Sequence, residues 1–283
     1  MSFVIHGATG AQGAPLLDLM LGKGLNARAA VRDLGKLAGK PTVLADVASF
    51  SSLETAYRDA EGIFVHLPQM PEPVRLDYAK NIVAAVARAR PARVVFSTSG
   101  VIVDEPGSPL QADEDSAVGL VLHGLRESGV SHAVIAPRLY LENLLLPMVM
   151  EPAKAAGILP YPIRADMPVS WSSHDDIAEV AERLLIDHSV SGVVGVGHLP
   201  GLTGPELAAA FATHLGRAVS FQSKPIKDFQ AELEPFIGPA AAAIADFYQA
   251  LSTRKDNVIA TQTSAQTRLG LAPRSLADWL KSA

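Results

Sequence analysis

The first half of the chain alternates short apolar runs with longer segments in which apolar residues recur at helical spacing. This alternation predicts parallel strands joined by helices that cover both faces of one sheet. The runs are almost wholly apolar, as in strands that are buried on both sides. The predicted strands are FVIHG, ARAAV, PTVLAD, GIFVHL, RVVFSTS and SHAVIA, and the predicted helices cover residues 14–22, 51–58, 74–90 and 117–128.

After Arg138 the alternation breaks into a proline-bearing stretch that ends at Pro168. A helix at about 175–187 and a strand at 193–196 resume the pattern, and the rest is mainly helical. Residues 1–138 and 170–198 are therefore predicted to form the sheet domain, and residues 139–169 and 199–283 a smaller lobe. The spacing of Thr203 and Glu206 predicts a capping box, and Ser172 or Ser173 is expected to cap the helix before it.

Charge and composition exclude several classes of partner. The chain has 24 basic and 29 acidic residues and a net charge of -5, which does not favour nucleic acid or an anionic membrane surface. It has no cysteine, no signal-peptide pattern and no apolar stretch near the roughly 20 residues of a membrane span. We expect a cytoplasmic protein, monomeric or homodimeric, with a small-molecule partner.

No metal site is predicted. The eight histidines include no HExxH motif and no pair at i,i+4 spacing, and no carboxylate cluster has metal-ligand spacing.

Residues 3–13 read FVIHGATGAQG, with Gly7, Gly10 and Gly13 between the first strand and the first helix. In that position Gly7 permits a tight bend, Gly10 close approach of a pyrophosphate, and Gly13 close helix packing. The amides and the dipole of the helix start then face the phosphate. A glycine pattern alone is weak support, but its strand-to-helix position favours phosphate binding over a plain connection.

The second predicted strand ends in Val31-Arg32-Asp33 rather than in an acidic residue at its tip. An acidic residue there binds the ribose of NAD, whereas Arg32 suits the 2′-phosphate of NADP. Lys36 adds positive charge on the same turn, while Asp33 opposes it. The sequence therefore favours NADPH, with a solvated surface charge as the alternative interpretation of Arg32.

With these residues the chain resembles the NmrA-like branch of the atypical short-chain dehydrogenase/reductases, particularly its NAD(P)H:quinone oxidoreductase and triphenylmethane dye reductase members. The resemblance implies an α/β fold, a Rossmann-type doubly wound parallel sheet with a smaller, mainly helical C-terminal lobe. It spans nearly the whole chain through GATGAQG, VRD, Ala45-Asp46-Val47, FSTSG, PRLYLENLL, SSHDDIAEVA and LGLAPRSLADWL.

The resemblance also implies positions around a bound cofactor. His6 departs from the family, which usually has Thr or Val before the first glycine, so His6 is either packed or part of the pocket floor. The implied cofactor positions are Gly7, Thr9, Gly10, Gln12 and Gly13 at the pyrophosphate, Arg32 at the 2′-phosphate, Asp46 and Val47 at the adenine, His66, Leu67 and Pro68 at the nicotinamide half, and Ser97, Thr98 and Ser99 at the end of strand five.

The Tyr-x-x-x-Lys pair that donates a proton in ordinary short-chain dehydrogenases is absent from SAVGLVLHGLRESG. His123 is the remaining candidate in that helix and is more typical of a helix surface. Hydride transfer to a quinone or a cationic dye needs no such pair, because protons can come from water.

The candidate catalytic residues are therefore Tyr140, Asn143 and Ser99. Tyr140 follows strand six, at the edge where open α/β sheets bind ligands. It is expected to stack on a flat acceptor or donate its hydroxyl, unless it only packs the junction of the lobes. Asn143 would orient the loop. His174 is read as part of a helix start that can also face the cleft.

Three functions remain open from the sequence. The first is an NADPH-dependent oxidoreductase that reduces a flat conjugated acceptor, such as a quinone or dye, by direct hydride transfer. The second is a regulator that senses NADP(H) without turnover. The third is a tailoring enzyme of aromatic polyketide quinones.

Overall fold

A parallel sheet runs through the centre of residues 2–282, the part of the chain that this computed structural model describes. The strands within these residues are β1 (Ser2–Ile5), β2 (Ala27–Val31), β3 (Thr42–Leu44), β4 (Ala60–His66), β5 (Val94–Ser97), β6 (His132–Pro137), β7 (Leu139–Tyr140), β8 (Ile158–Tyr161), β9 (Trp171–Ser172), β10 (Gly192–Val196) and β11 (Ser220–Ser223).

Seven strands form the central sheet in the order β10-β6-β5-β4-β1-β2-β3. Every neighbouring pair is parallel, and the seven strands predicted from the sequence are the seven in this sheet. From β1 in the middle of the sheet, β2 and β3 follow toward one edge, and β4, β5, β6 and β10 follow toward the opposite edge. Ligands bind where the strand order switches in this way, here between β1 and β4 at the carboxyl ends of the strands.

Helices cover both faces of the sheet, and the predicted helices are confirmed with small shifts at their ends. Helix α3, for example, begins before its predicted start because Pro73 fits the first turn of a helix. The α-helices within residues 2–282 are α1 (Gly13–Gly22), α2 (Phe50–Tyr57), α3 (Glu72–Ala89), α4 (Ala117–Ser128), α5 (Pro147–Ala156), α6 (His174–Ile186), α7 (Gly204–Leu215), α8 (Ile226–Ile237), α9 (Ala240–Ser252), α10 (Ala265–Leu269) and α11 (Leu276–Ser282).

The core of the sheet domain consists of one apolar cluster on each face. Ile5 packs in the cluster beneath α1 and α6, whereas the adjacent Val4 packs in the cluster beneath α2, α3 and α4. This division follows from the period of two in a strand, which turns successive side chains to opposite faces.

A third apolar cluster forms the core of the smaller lobe, around Tyr161, Trp171 and Phe211. The parallel pairs β7 with β9 and β8 with β11 lie beside this cluster, and the sequence analysis did not predict them. Strand β9 and Trp171 fall within residues 170–198, which the sequence analysis assigned to the sheet domain. Strands β7 and β9 have two residues each, and β11 is polar and mostly exposed, so no periodic signal marks them.

Residues near the C-terminus return to the sheet domain. Ser264 bridges Gly195 of β10, and Ala265 is buried in the cluster beneath α1 and α6. The sequence analysis assigned these residues to the smaller lobe, and its division of the chain into two lobes stays a prediction.

The predicted helix caps are present. The Ser173 hydroxyl accepts a hydrogen bond from the Asp176 amide, and the Asp176 carboxylate accepts one from the Ser173 amide. Ser173 is therefore the cap of α6, while Ser172 belongs to β9. At α7 the Glu206 carboxylate accepts hydrogen bonds from the Thr203 amide and hydroxyl.

Candidate active site

The turn between β1 and α1 uses its three glycines in three different ways. Gly7 has a φ of +64°, and a Cβ built on it would lie 2.2 Å from Nε2 of His66. A Cβ at Gly13 would lie 2.3 Å from the carbonyl oxygen of His6, so this glycine lets α1 pack on the turn. A Cβ at Gly10 would meet only the Gly7 carbonyl oxygen, at 3.4 Å. Because Gly10 is exposed, its missing side chain leaves room for a ligand.

Gln12 is the N-cap residue of α1, but its side chain does not cap the helix. Its side-chain carbonyl accepts a 2.6 Å hydrogen bond from the Ser97 hydroxyl, and its amide nitrogen donates to the Ser99 hydroxyl at 2.9 Å. These bonds join the start of α1 to the end of β5. A helix start without a side-chain cap keeps backbone amides available to an anion.

The turn after β2 carries two exposed cations, Arg32 and Lys36. Within residues 2–282 neither side chain forms an ion pair or a hydrogen bond. The Asp33 carboxylate instead accepts a 2.9 Å hydrogen bond from the Gly35 amide, so it holds its own turn rather than pairing with Arg32. Both cations therefore remain available to a negatively charged ligand.

A cleft of about 320 Å³, which we call the first cleft, lies beside the glycine turn and both cations. Seven of the predicted cofactor residues line it, and the structure adds Met70 and Tyr78, which lie beyond the motifs that the sequence analysis used. The lining residues are His6, Gly7, Thr9, Ala30, Val31, Arg32, Lys36, Ala45, Val47, His66, Pro68, Met70 and Tyr78.

The other predicted cofactor residues lie around the first cleft without lining it. Asp46 stands between two lining residues, and its carboxylate accepts a 3.0 Å hydrogen bond from the Ala48 amide. Leu67, Ser97 and Thr98 line a smaller cavity of about 60 Å³. Gly10, Gln12 and Gly13 form the turn itself.

His6 is both packed and part of the cleft wall. Its Nε2 lies 2.9 Å from the Tyr57 hydroxyl, and both side chains are buried. Burial, together with the neighbouring His66, lowers the pKa of His6 to about 3. Burial also lowers the pKa of His66, so both imidazoles are neutral at pH 7.

The buried polar atoms that have no hydrogen-bond partner within residues 2–282 include Nε2 of His66, Oγ1 of Thr98 and the hydroxyl oxygen of Tyr140. Their residues stand at or just beyond the ends of β4, β5 and β6, which are neighbours in the sheet. Buried polar groups normally have partners. This edge of the sheet is therefore suited to a polar ligand.

A second cleft, of about 380 Å³, lies between the loops after β5 and β6 and helix α9. The three predicted catalytic residues, Ser99, Tyr140 and Asn143, all line it. The sequence analysis missed the wall that α9 supplies, because helical spacing shows which residues share a face but not what that face meets. The lining residues are Gln69, Ser99, Gly100, Val101, Ile102, Leu110, Arg138, Leu139, Tyr140, Asn143, Ala243, Ile244, Phe247 and Tyr248.

Tyr140 is held by the start of α6. Its ring lies 4.9 Å from the His174 imidazole, measured between centroids, and the Glu142 carboxylate accepts a 3.0 Å hydrogen bond from the His174 amide. Burial, reinforced by Glu142, raises the pKa of Tyr140, and the Ser97 hydroxyl opposes this shift without reaching hydrogen-bond geometry. Tyr140 therefore keeps its proton at neutral pH.

Ser99 and Asn143 hold the two sides of the second cleft. Ser99 has a φ of +56°, a conformation that is uncommon outside glycine and that its bond from Gln12 supports. Burial raises the pKa of Tyr161 to about 12, and the side chains of Tyr248 and Asn143 oppose this shift. The hydroxyls of Tyr161 and Tyr248 lie 2.5 Å apart. Asn143 thus connects the loop after β6 to the core of the smaller lobe.

Other candidate features fall outside both clefts. His123 is exposed on α4 and lines neither of them. Among residues 2–282 no three histidine, aspartate or glutamate side chains are grouped so that they can hold a metal ion. None of the helices in this part of the chain combines the length and apolar character needed to cross a membrane.

The profile of the NmrA-like family matches residues 2–280. The chain belongs to the NmrA-like family. This membership confirms the resemblance that the motifs indicated from the sequence. A search of curated proteins gave no match.

Solved structures with the fold of this NmrA-like protein include two reductases and an epimerase. Triphenylmethane reductase from Citrobacter sp., complexed with NADP(H), has 18% identity and a TM-score of 0.81, with 100% of each chain covered. An NADPH-dependent quinone oxidoreductase from Escherichia coli, complexed with NADPH, has 20% identity and a TM-score of 0.77, with 99% of each chain covered. A nucleoside-diphosphate-sugar epimerase from Staphylococcus aureus has 17% identity and a TM-score of 0.79, with 99% of this chain and 100% of that chain covered. These likenesses establish the fold.

Proposed function

We propose that the first cleft binds NADPH, with the pyrophosphate above the glycine turn and the 2′-phosphate at Arg32 and Lys36. The open space at Gly10 and the start of α1 without a side-chain cap support the phosphate position. The two unpaired cations support NADPH over NADH, because a 2′-phosphate gives them a charge-assisted partner. Two proteins of similar fold were solved with NADP(H) or NADPH, which agrees with this assignment.

The nicotinamide half would be held at the ends of β4 and β5. There the unpartnered atoms of His66 and Thr98 would form hydrogen bonds with its polar groups. NADPH supplies a hydride when bound. The neutral state of His66 means that it acts as a hydrogen-bonding group rather than as a second cation.

We infer that the second cleft takes a flat conjugated acceptor, of the quinone or dye kind, which receives hydride directly. One observation carries this inference: the second cleft, with its aromatic and apolar walls, adjoins the strand ends where the nicotinamide would lie. Tyr140 and Phe247 offer aromatic faces against which a planar ring packs. The main contribution of the protein is then to position the acceptor and exclude water from it.

No residue of α4 replaces the missing Tyr-x-x-x-Lys pair. The site therefore suits an acceptor that can receive hydride without first taking a proton from the enzyme. A quinone meets this condition because hydride addition leaves a weakly basic phenolate oxygen, which water can protonate afterwards. A simple ketone would leave a strongly basic alkoxide, which needs a proton donor as the hydride arrives.

NADPH oxidation, followed with quinones, triphenylmethane dyes and simple ketones as acceptors, tests the proposal. We expect turnover with conjugated acceptors and none with ketones. Tight NADPH binding without turnover of any acceptor would contradict an enzymatic function and favour the sensing regulator. Turnover confined to polycyclic aromatic quinones would favour a tailoring enzyme.

A further inference from the structure

Within residues 2–282, no carboxylate lines the second cleft, and Arg138 is its single charged lining residue. Asp104 and Glu105 both bond to Arg138, with oxygen to Nη2 distances of 2.9 and 3.1 Å. Glu105 also pairs with Arg254 at 2.6 Å. Two arginines thus balance the two carboxylates of this network. Asp104 and Glu105, the carboxylates bonded to Arg138, are therefore already neutralised.

Glu142 is a carboxylate near Tyr140, which it follows by two positions. It does not line the second cleft. One of its oxygens accepts the His174 amide at 3.0 Å, and the other lies 3.6 Å from Nδ1 of the same residue. Glu142 is therefore engaged at the start of α6, and it affects the second cleft from outside its lining, by helping to raise the pKa of Tyr140.

Apart from Arg138, the polar side chains that line the second cleft are neutral, and several of them can donate hydrogen bonds. Tyr140 has a hydroxyl without a partner, and burial keeps that hydroxyl protonated. Gln69, whose amide side chain is exposed, and Ser99, which carries a hydroxyl, also line this cleft. Neutral donors suit carbonyl oxygens, which accept hydrogen bonds and carry no full charge.

We propose that the second cleft selects neutral carbonyl acceptors of the quinone class and discriminates against cationic triphenylmethane dyes. This selection rests on the proposed reductase function. A dye cation would lose hydration on entering an apolar cleft that offers no counter-ion, and burial of an unpaired charge is costly. A neutral quinone loses little by the same transfer.

The charge balance of the reaction favours the same acceptor. Hydride addition to a neutral quinone moves two electrons and one proton from NADPH, leaving an anionic oxygen that a proton from water neutralises. The Gln69 amide and the Ser99 hydroxyl can donate hydrogen bonds to that oxygen as its charge develops. Hydride addition to a cationic dye discharges the cation to a neutral product and forms no such oxygen.

A pair of variants at Ile244 tests the charge argument. Ile244 lines the second cleft from α9 and is half-buried, so a polar side chain can reach solvent there. Ile244→Glu adds a carboxylate, and Ile244→Gln adds a side chain of nearly the same size without charge. Urea denaturation of both variants first verifies that they fold.

Menadione serves as the neutral acceptor and malachite green as the cation. We expect the wild type to favour menadione in kcat/KM by at least tenfold. Ile244→Glu should improve kcat/KM for malachite green by on the order of tenfold over Ile244→Gln, and this gain should shrink at high salt. Wild-type reduction of malachite green as efficient as that of menadione, or equal behaviour of the two variants toward the dye, would overturn the proposal.

Calorimetric binding to the NADP⁺-saturated protein separates this inference from the proposed function, because no hydride is then available. Binding of menadione without binding of malachite green supports charge selection. If NADPH oxidation then fails with both acceptors, that failure refutes only the reductase activity. Equal binding of both compounds to the wild type refutes the selection, whatever the activity is.

Discussion

Replacement of Gly10 by valine is expected to abolish NADPH binding while leaving the protein folded. A Cβ at this position meets only one protein atom within 4 Å, the Gly7 carbonyl oxygen at 3.4 Å, and the backbone of Gly10 is not in the left-handed region. Because the position is exposed, the loss in unfolding free energy should stay below about 1 kcal/mol.

The effect on binding should be much larger than the effect on folding. The valine methyl groups would occupy the space through which a pyrophosphate approaches the start of α1. Hydrogen bonds to a charged group contribute about 1.5–3 kcal/mol each. Loss of two such bonds from backbone amides weakens binding by a factor of about 10² to 10⁴.

Gly13→Ala is the matched control, since it changes a glycine of the same turn with the opposite expectation. Its Cβ would lie 2.3 Å from the His6 carbonyl oxygen and 2.4 Å from the Gly7 carbonyl carbon. These are backbone atoms that cannot rotate away, so the cost should reach about 3 kcal/mol, the upper part of the usual range for overpacking. The main effect of this variant is therefore on stability.

Urea denaturation and calorimetric titration with NADPH, carried out on both variants, separate the two roles. A folded Gly10→Val protein that binds NADPH with wild-type affinity would refute phosphate binding at this turn. A Gly13→Ala protein as stable as the wild type would refute the packing argument. Gly10→Ala should give an intermediate loss of affinity with stability unchanged or slightly raised.

Three further predictions follow from the same clefts. Arg32→Ala should weaken NADPH binding about 10- to 150-fold and leave NADH binding unchanged in calorimetry; equal losses for both would contradict the 2′-phosphate assignment. Tyr140→Phe should keep most of the single-turnover rate with menadione, whereas Tyr140→Ala should lose much more of it, because only alanine removes the aromatic face. If both variants were equally impaired, and a steep pH dependence of the wild-type rate were lost in both, the Tyr140 hydroxyl would be the proton donor. The pKa of His6 falls from 6.5 in the unfolded chain to about 3 in the folded protein, so the unfolded state takes up the proton first as pH falls. The free energy of unfolding should therefore be highest above pH 6.5 and decline by about 5 kcal/mol as the pH falls toward 3. Urea denaturation should show a shallower decline for His6→Gln, and identical slopes would refute this role of His6.

The sequence alone determined the central sheet and the position of its phosphate-binding candidate. Apolar runs of strand length alternate with helical periodicity, and such local patterns reflect burial on both faces of a parallel sheet. The motif at Gly7, Gly10 and Gly13 is also local, so its position after the first strand was enough to predict its geometry. The position of Arg32 near the phosphate-binding turn was also predicted from the sequence, because the end of the second strand lies at a fixed place relative to that turn.

The sequence did not indicate which side chains meet across the molecule. Gln12 seemed, from its place in the motif, to face a ligand, and only the fold brings it within hydrogen-bond distance of Ser97 and Ser99, more than 80 positions along the chain. His66 fills the space that Gly7 leaves, a contact between the ends of two paired strands. Such contacts depend on strand order, which local periodicity does not encode.

The wall of the second cleft was decided by tertiary structure alone. Ile244 and Phe247 belong to an alanine-rich helix whose sequence predicts its conformation but not its neighbour. Arg138 follows β6 and is linked through Glu105 to Arg254, which follows α9, and this network joins the two sides of the cleft. The absence of a carboxylate from that wall is a property of side chains gathered from distant parts of the chain. The spacing of apolar residues within one helix or strand is a local property of the sequence. The side chains that line a cleft depend instead on how whole helices and strands pack together.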